Sequence, residues 1–353
     1  WALARTGPIC VRGASVDRPS SVVGYDLASP AMTRLGYQIP NFTYPDTAPA
    51  DIFPTVVAQA KAAEEAGFDR VMVMDHFYQL PGLGAPDEPM IECYSLLAAL
   101  AQHTTSVRLS ALVTGNTYRH PSLLAKTITA LDHVSGGRAT LGIGAGWFEL
   151  EHLALGFEFG TFTDRFAKLE ESLQIVLPLL RGERVTFAGE HYQVSDAVNS
   201  PPPVSQIPIM IGGVGEKKTL RMVAQYADES NLSSGPIEEI PRKLDALAAH
   251  CERLGRDRSE IKVTKLQMVV VAPTMEEADA DLREVAGAKG WSDEVVELAK
   301  AVLIVGDPDS VGERLSAAMA TGIDGLTINA PGNGHKPERI ALLGKVAAAA
   351  VGA

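Results

Sequence analysis

Asp75 and His76 are the pair in this chain best placed to do proton chemistry. They follow directly on an uncharged apolar run, Val71 to Met74. Four apolar residues in succession predict a β-strand buried on both faces, as in a parallel sheet. The carboxyl ends of such strands are where α/β folds place their active sites. An imidazole there can hydrogen-bond a cofactor or exchange a proton near neutrality, because its unperturbed pKa is about 6.5. The plain alternative is that Asp75 caps the next segment and His76 is a satisfied loop histidine.

Two glycine-rich stretches and one polar loop are the other candidates. Gly212-Gly213-Val214-Gly215-Glu216-Lys217-Lys218 places three glycines in four positions ahead of a helical pattern. Exposed backbone N–H groups and a helix N-terminus, with about half a positive charge, suit a phosphate. Gly142-Ile-Gly144-Ala-Gly146-Trp147 has a tryptophan where a dinucleotide fingerprint needs its third glycine, so that reading is weak. It is either a tight strand-to-helix loop or a place where a flat group approaches the backbone and Trp147 stacks beside it. Glu149, Glu151 and His152 follow closely, as acid–base candidates or as solvated groups. Thr114-Gly-Asn116-Thr-Tyr-Arg-His-Pro121 is an ordinary loop ahead of a helix started by Pro121, or one wall of a flat cofactor site.

Other classes are excluded by what is missing or by charge. There is no His-x-His pair and no clustered ligand spacing, so no metal site is expected. A formal net charge of −12 argues against nucleic acid and acidic membranes as partners. No apolar run approaches the ~18 residues of a membrane span. Cys10, Cys93 and Cys251 are odd in number and far apart, which suggests no disulfide framework and a reducing, cytoplasmic setting. Asn41-Phe42-Thr43 fits a glycosylation sequon, which carries little weight without a secretory signal.

The elements that must position these groups alternate. Residues 1–31 lack periodicity and are expected to be an N-terminal extension, with a single organised domain over 32–353. Helical stripes, such as positions 52, 53, 56, 57, 60 and 63, are separated by short strand-like runs. Those runs lie near 34–39, 71–74, 107–113, 138–141, 207–211, 228–232, 261–271 and 325–329. A hairpin-like excursion is expected from 185, and helical insertions over 275–305. Eight strands alternating with helices favour a (β/α)8 TIM barrel with insertion segments over a doubly wound sheet. The glycine-rich and polar loops then share that barrel's active face.

Taken together and in order, these motifs resemble the luciferase-like monooxygenase superfamily, in its actinobacterial branch that uses the deazaflavin coenzyme F420. Leu112–Pro121 is similar to that branch's strand-3 segment, Ser135–Phe148 to its strand-4 signature, and Pro208–Leu220 to its phosphate loop. Val305-Gly-Asp-Pro308 and Gly322-Ile-Asp-Gly325 are similar to its C-terminal phrases. The resemblance implies a bacterial-luciferase-like barrel binding F420, or alternatively FMN, at the carboxyl ends of the strands. It implies that His76 sits beside the reactive ring and assists proton or hydride chemistry, with Asp75 organising the loop behind it. It further implies a cis peptide within Ala111-Leu112-Val113 against the back of the ring. Gly212, Gly213, Val214 and Gly215 would hold the cofactor phosphate, and Thr114, Asn116, Gly144 and Gly146 would line the same site.

One departure matters. Trp147 stands where the sugar-phosphate dehydrogenases of this branch carry a catalytic glutamate, so glucose 6-phosphate oxidation is not expected. Trp147, with Glu151 and His152, is expected to shape a substrate pocket. Relatives also imply a homodimer and a separate F420- or flavin-reducing enzyme. The expected function is F420-dependent hydride transfer to or from a small organic substrate. The alternatives are an FMN-dependent two-component monooxygenase and a non-catalytic flavin-binding protein.

Overall fold

The computed structural model describes residues 34–233 and 235–352. The expected extension, 1–31, and Ser234 lie outside them. In chain order the strands are β1 (Leu35–Ile39), β2 (Arg70–Val73), β3 (Arg108–Ala111), β4 (Thr114–Gly115), β5 (Ala139–Gly144) and β6 (Val185–Ala188). They continue with β7 (Gln193–Ala197), β8 (Ile209–Gly212), β9 (Glu229–Leu232), β10 (Lys262–Val271), β11 (Ile304–Gly306) and β12 (Gly325–Asn329). Strands β1, β2, β3, β5, β8, β9, β10 and β12 pair in parallel in that order, and β12 returns to β1. This is a closed (β/α)8 barrel.

The helices are α1 (Ile52–Glu65), α2 (Cys93–Ala101), α3 (Pro121–Val134), α4 (Glu149–Leu155), α5 (Phe162–Leu180) and α6 (Thr219–Tyr226). After these come α7 (Ile240–Leu254), α8 (Met275–Ala288), α9 (Asp293–Val302), α10 (Pro308–Met319) and α11 (Pro337–Val351). Most wrap the barrel through one buried stripe; in α1 this is Val56, Ala60 and Ala63. A capping box fixes the start of α5, with Thr161 and Asp164 each bonding the other's backbone N–H.

Strand alternation sorts the side chains of β2. Val71 and Val73 join the main core with the helices, whereas Met72 forms a separate inner cluster with Leu112 and Met210. Arg70 points the same way as Met72 and makes a bidentate ion pair with Glu229 of β9, 2.7 Å at both contacts. That pairing lets two charges sit fully buried at the foot of the barrel. Polar groups take over toward the strands' carboxyl ends. Asn231 donates to Thr264 and Thr327 at 2.9 and 3.0 Å, and Asn329 donates to Gln38 at 2.8 Å.

Two local features depart from the sequence expectation. The continuous strand expected over 107–113 stops at Ala111; the Leu112–Val113 peptide is cis, and pairing resumes as β4 against β5. A short helix, α4, follows the Gly142–Gly146 stretch where only a loop was expected. β10 overruns the barrel, as its length suggests, and its residues Val269–Val271 pair with β11. There α8 and α9 build a second small core around Val270, Leu282, Val296 and Leu303. β6 and β7 form the antiparallel hairpin expected from residue 185.

Candidate active site

β2 ends at Val73, and the two residues after Met74 have different surroundings. Asp75 is buried and accepts from the Gly115 N–H at 2.9 Å. Arg119 grips the same carboxylate at 2.7 and 2.9 Å and reaches Glu92 at 2.6 Å. Its guanidinium also lies 4.9 Å above the ring of Tyr94. Burial pushes the Asp75 carboxyl above the ordinary aspartate range, against the opposing pull of Arg119. Asp75 therefore ties the end of β2 to β4 and the loop after it. It has no free oxygen to offer a reactant.

His76 retains 12% of its side-chain exposure. Its Nδ1 lies 2.6 Å from Oε1 of Glu151. Glu151 is fully buried and also accepts from the Phe77 N–H at 2.8 Å, the Tyr78 N–H at 3.3 Å and the Tyr118 hydroxyl. Burial alone would raise this carboxyl; the bonds from His76, Tyr118 and Phe77 hold it below the usual glutamate range. An ionised Glu151 assigns the hydrogen on Nδ1 and leaves Nε2 as the exchangeable position. Among the described residues Nε2 has no hydrogen-bond partner, and Trp147 and Phe148 stand edge-on at 5.9 and 6.0 Å.

The expected substrate trio is split by α4. Trp147 is 59% exposed and borders the imidazole. Glu151 and His152 sit on the inner side of the same helix, both fully buried. His152 Nδ1 donates to the Phe148 carbonyl at 2.7 Å, and Nε2 accepts from the Thr117 hydroxyl at 2.7 Å. Burial lowers its affinity for a proton, so it is a neutral, satisfied side chain beneath the Tyr118 ring. Placing Glu151 and His152 on an open pocket wall is thus corrected: one turn of helix carries them inward, and Glu151 becomes the partner of His76. Arg119, Tyr118 and Glu92 were missed as supports, because nothing local in the sequence marks a residue that acts from another loop.

The cis peptide falls within the expected triplet Ala111-Leu112-Val113. The Leu112 carbonyl accepts from Gln38 at 3.4 Å. Val113 lies between the ends of β5 and β8. A Cβ on Gly144 would meet it at 2.9 Å, and one on Gly212 at 2.8 Å. These glycines therefore seat a side chain of the protein itself, a closer requirement than the flat ligand suggested by the sequence.

Thr114 is buried against the Tyr94 hydroxyl at 2.6 Å. Asn116 is 2% exposed, yet neither its Oδ1 nor its Nδ2 has a partner among the described residues. An unpaired buried amide costs about 1–3 kcal/mol and calls for a polar ligand or water. Gly146 lends its carbonyl to Arg165 Nε at 3.1 Å. In the 212–215 loop Gly213 has φ +130°, and its N–H is taken by the Asn231 carbonyl at 3.0 Å. That donor is engaged within the protein, so phosphate contact through the Gly213 N–H is not available in this conformation. Beyond it, Val214 and Gly215 lead to the N-terminus of α6. Ser233, just after β9, is exposed.

Comparison with known proteins places the chain in a family. The family model described as luciferase-like monooxygenase matches residues 33–325. The chain belongs to the luciferase-like monooxygenase family and is an oxidoreductase of that class. It is 30% identical over 341 residues to an F420-dependent glucose-6-phosphate dehydrogenase of Nakamurella multipartita, covering 90% of this chain and 96% of that one. Its fold is similar to an F420-dependent secondary alcohol dehydrogenase in complex with an F420–acetone adduct. That match has a TM-score of 0.73 and 20% identity, and covers 91% of this chain and 99% of the other. A riboflavin lyase with modified FMN and riboflavin has a TM-score of 0.71 at 17% identity, covering 88% and 89%. No helix among the described residues is long and apolar enough to cross a membrane.

Proposed function

We propose that this protein is an F420-dependent oxidoreductase in which His76 exchanges a proton through Nε2 beside the bound deazaflavin. The observation that carries this reading is the buried Glu151 carboxylate on His76 Nδ1, which leaves Nε2 unpartnered at the carboxyl end of a barrel strand. The F420 assignment draws its support from the named relatives. Bound there, the deazaflavin would supply a hydride donor or acceptor at its central ring carbon. Val113 and its cis linkage would support the ring, and Asn116 would offer both amide atoms to it. Gly212, Val214 and Gly215, with the start of α6, would hold the phosphate; Thr114, Gly144 and Gly146 would shape the wall.

Trp147 would face the substrate and favour an apolar one. Position 147 is a tryptophan, and the carboxylate nearest His76, Glu151, is taken up by the imidazole, so neither offers an acid to a sugar hydroxyl. A homodimer, a cytoplasmic setting and an F420-reducing partner belong to the same reading; the setting draws on the buried, unbridged Cys93 and Cys251, the other two only on the family resemblance of the sequence.

The test supplies the purified protein with reduced F420 or reduced FMN and a panel of apolar ketones, aldehydes and enones. Substrate-dependent oxidation of reduced F420 without oxygen uptake supports the proposal. Oxygen uptake with reduced FMN would replace it with the two-component monooxygenase reading.

A further inference from the structure

Glu151 divides its two oxygens between two kinds of donor. Oε2 takes backbone groups, the Phe77 N–H at 2.8 Å and the Tyr78 N–H at 3.3 Å. Oε1 takes side chains, His76 Nδ1 at 2.6 Å and the Tyr118 hydroxyl. Among the described residues the imidazole therefore shares its oxygen with one other donor, which comes from the loop after β4.

That donor is held in place by its ring. His152 lies tilted against the Tyr118 ring at 4.6 Å, and Phe77 and Phe157 stand edge-on to it at 5.1 and 5.2 Å. A Cβ on Gly115 would run into the same ring, so that glycine keeps its seat open. The Tyr118 N–H donates to the Gly115 carbonyl at 3.1 Å. The hydroxyl cannot swing away from Glu151 without displacing these neighbours. Burial, and then the bond to Glu151, push the phenol well above its ordinary range. It stays protonated, and toward a carboxylate it can only donate.

The other charges around His76 have partners of their own. Asp75 is paired with Arg119, which also reaches Glu92. His152 is neutral between the Phe148 carbonyl and the Thr117 hydroxyl, and Arg165 beyond it donates to the Gly146 and Gly160 carbonyls. Trp147 and Phe148 present uncharged ring edges. A proton arriving at Nε2 makes an imidazolium whose charge is balanced by Oε1. A hydroxyl already bonded to that oxygen withdraws part of the charge that would stabilise the imidazolium.

We propose that Tyr118 is a positioning residue that loosens the hold of His76 on a second proton, by competing for the Glu151 oxygen that faces Nδ1. This rests on the proton-exchange role given to His76 above. With the hydroxyl in place, Nε2 takes up a proton and returns it. Without the hydroxyl, Oε1 serves the imidazole alone and the imidazolium persists.

The experiment follows the His76 ring by nitrogen-15 NMR in the full chain without added coenzyme, titrated in the wild type and in Tyr118→Phe, with His76→Gln to assign the signal. The phenylalanine ring keeps the packing and removes the hydroxyl. The affinity of His76 for its second proton should rise by about threefold to tenfold, moving the titration midpoint to higher pH. 3-Fluorotyrosine placed at position 118, a stronger donor of nearly the same shape, should move it to lower pH. Loss of packing would not give displacements of opposite sign. A midpoint in Tyr118→Phe that stays in place or moves to lower pH would overturn the proposal, as would displacements of one sign in both proteins. Should Tyr118→Phe fail to fold, the sign given by 3-fluorotyrosine decides. Because no coenzyme is added, the titration judges Tyr118 whatever cofactor the protein takes. The functional reading is judged apart from it. When reduced F420 reduces a substrate, the alkaline limb of kcat/KM, where the imidazolium is lost, should follow the NMR midpoint. A limb that stays in place while the midpoint moves would remove His76 from the chemistry and leave the Tyr118 assignment standing.

Discussion

The Oε1 atom of Glu151 lies 2.6 Å from Nδ1 of His76, and through that contact the first turn of α4 orients a side chain at the end of β2. The two residues are 75 positions apart. Glu151 also draws in the N–H groups of Phe77 and Tyr78, so a single carboxylate sets both the imidazole and the loop behind it.

Glu151→Gln keeps the shape and removes the charge. A positioned acid–base group contributes about 10²–10⁴-fold to rate, and a residue acting through it contributes part of that. We expect kcat for hydride transfer to fall by about tenfold to a hundredfold, with the F420 dissociation constant within about threefold. Single-turnover oxidation of reduced F420, alongside a binding titration, separates the two. Loss of binding with an unchanged rate would assign Glu151 a purely structural role.

Arg119 is the counterion that lets Asp75 stay buried. Removing one member of a buried pair typically costs about 3–5 kcal/mol, and Arg119→Met should approach the lower end because Glu92 is half exposed and can rehydrate. Urea unfolding measures the loss directly. Asp75→Asn with Arg119→Met should recover part of it, since the neutral pair leaves no uncompensated charge.

Val113 gives a packing test. Gly212→Ala would put a methyl 2.8 Å from its Cγ1, and overpacking of this kind costs about 1–3 kcal/mol. The expected result is a lower Tm and weaker cofactor binding, with Val113→Ala in the same chain restoring Tm. No recovery in the double variant would show that the glycine is needed for something other than Val113.

Stability toward acid should report Glu64, in the last turn of α1. It accepts the N–H groups of Thr105, Ser106 and Val107 and the Ser106 hydroxyl. Burial pushes this carboxyl up, but the four donors bring it down to about 2 from the ordinary 4.5. A depressed folded-state pKa means the contribution is complete above pH 4.5 and is lost as the pH falls toward 2. Glu64→Gln should therefore lower Tm at pH 7, and the gap between variant and parent should close across that acid interval.

Much of this architecture could be read from periodicity. The run Val71–Val73 is a buried strand because two faces must be covered, and the 52–63 stripe is a helix because one face must be. What could not be read depends on contacts between distant loops. Nothing around Glu151 signals that a helical turn will carry it inward to His76 while leaving Trp147 outside. Gly144 and Gly212 announce close approach without saying that Val113 is what approaches. The break in β3 was legible only through family resemblance, since the residues Leu112 and Val113 themselves favour a continuous strand.

The central claim is that this site holds deazaflavin with His76 as its proton partner. It is tested most directly by titrating wild-type protein and His76→Ala with F420 and with FMN, then following oxidation of reduced F420 once a substrate is found in the panel. The account predicts tighter binding of F420 than of FMN. It also predicts a His76→Ala variant whose F420 affinity stays within about tenfold while its hydride transfer falls by about a hundredfold or more. Preference for FMN, or unchanged turnover in His76→Ala, would contradict it.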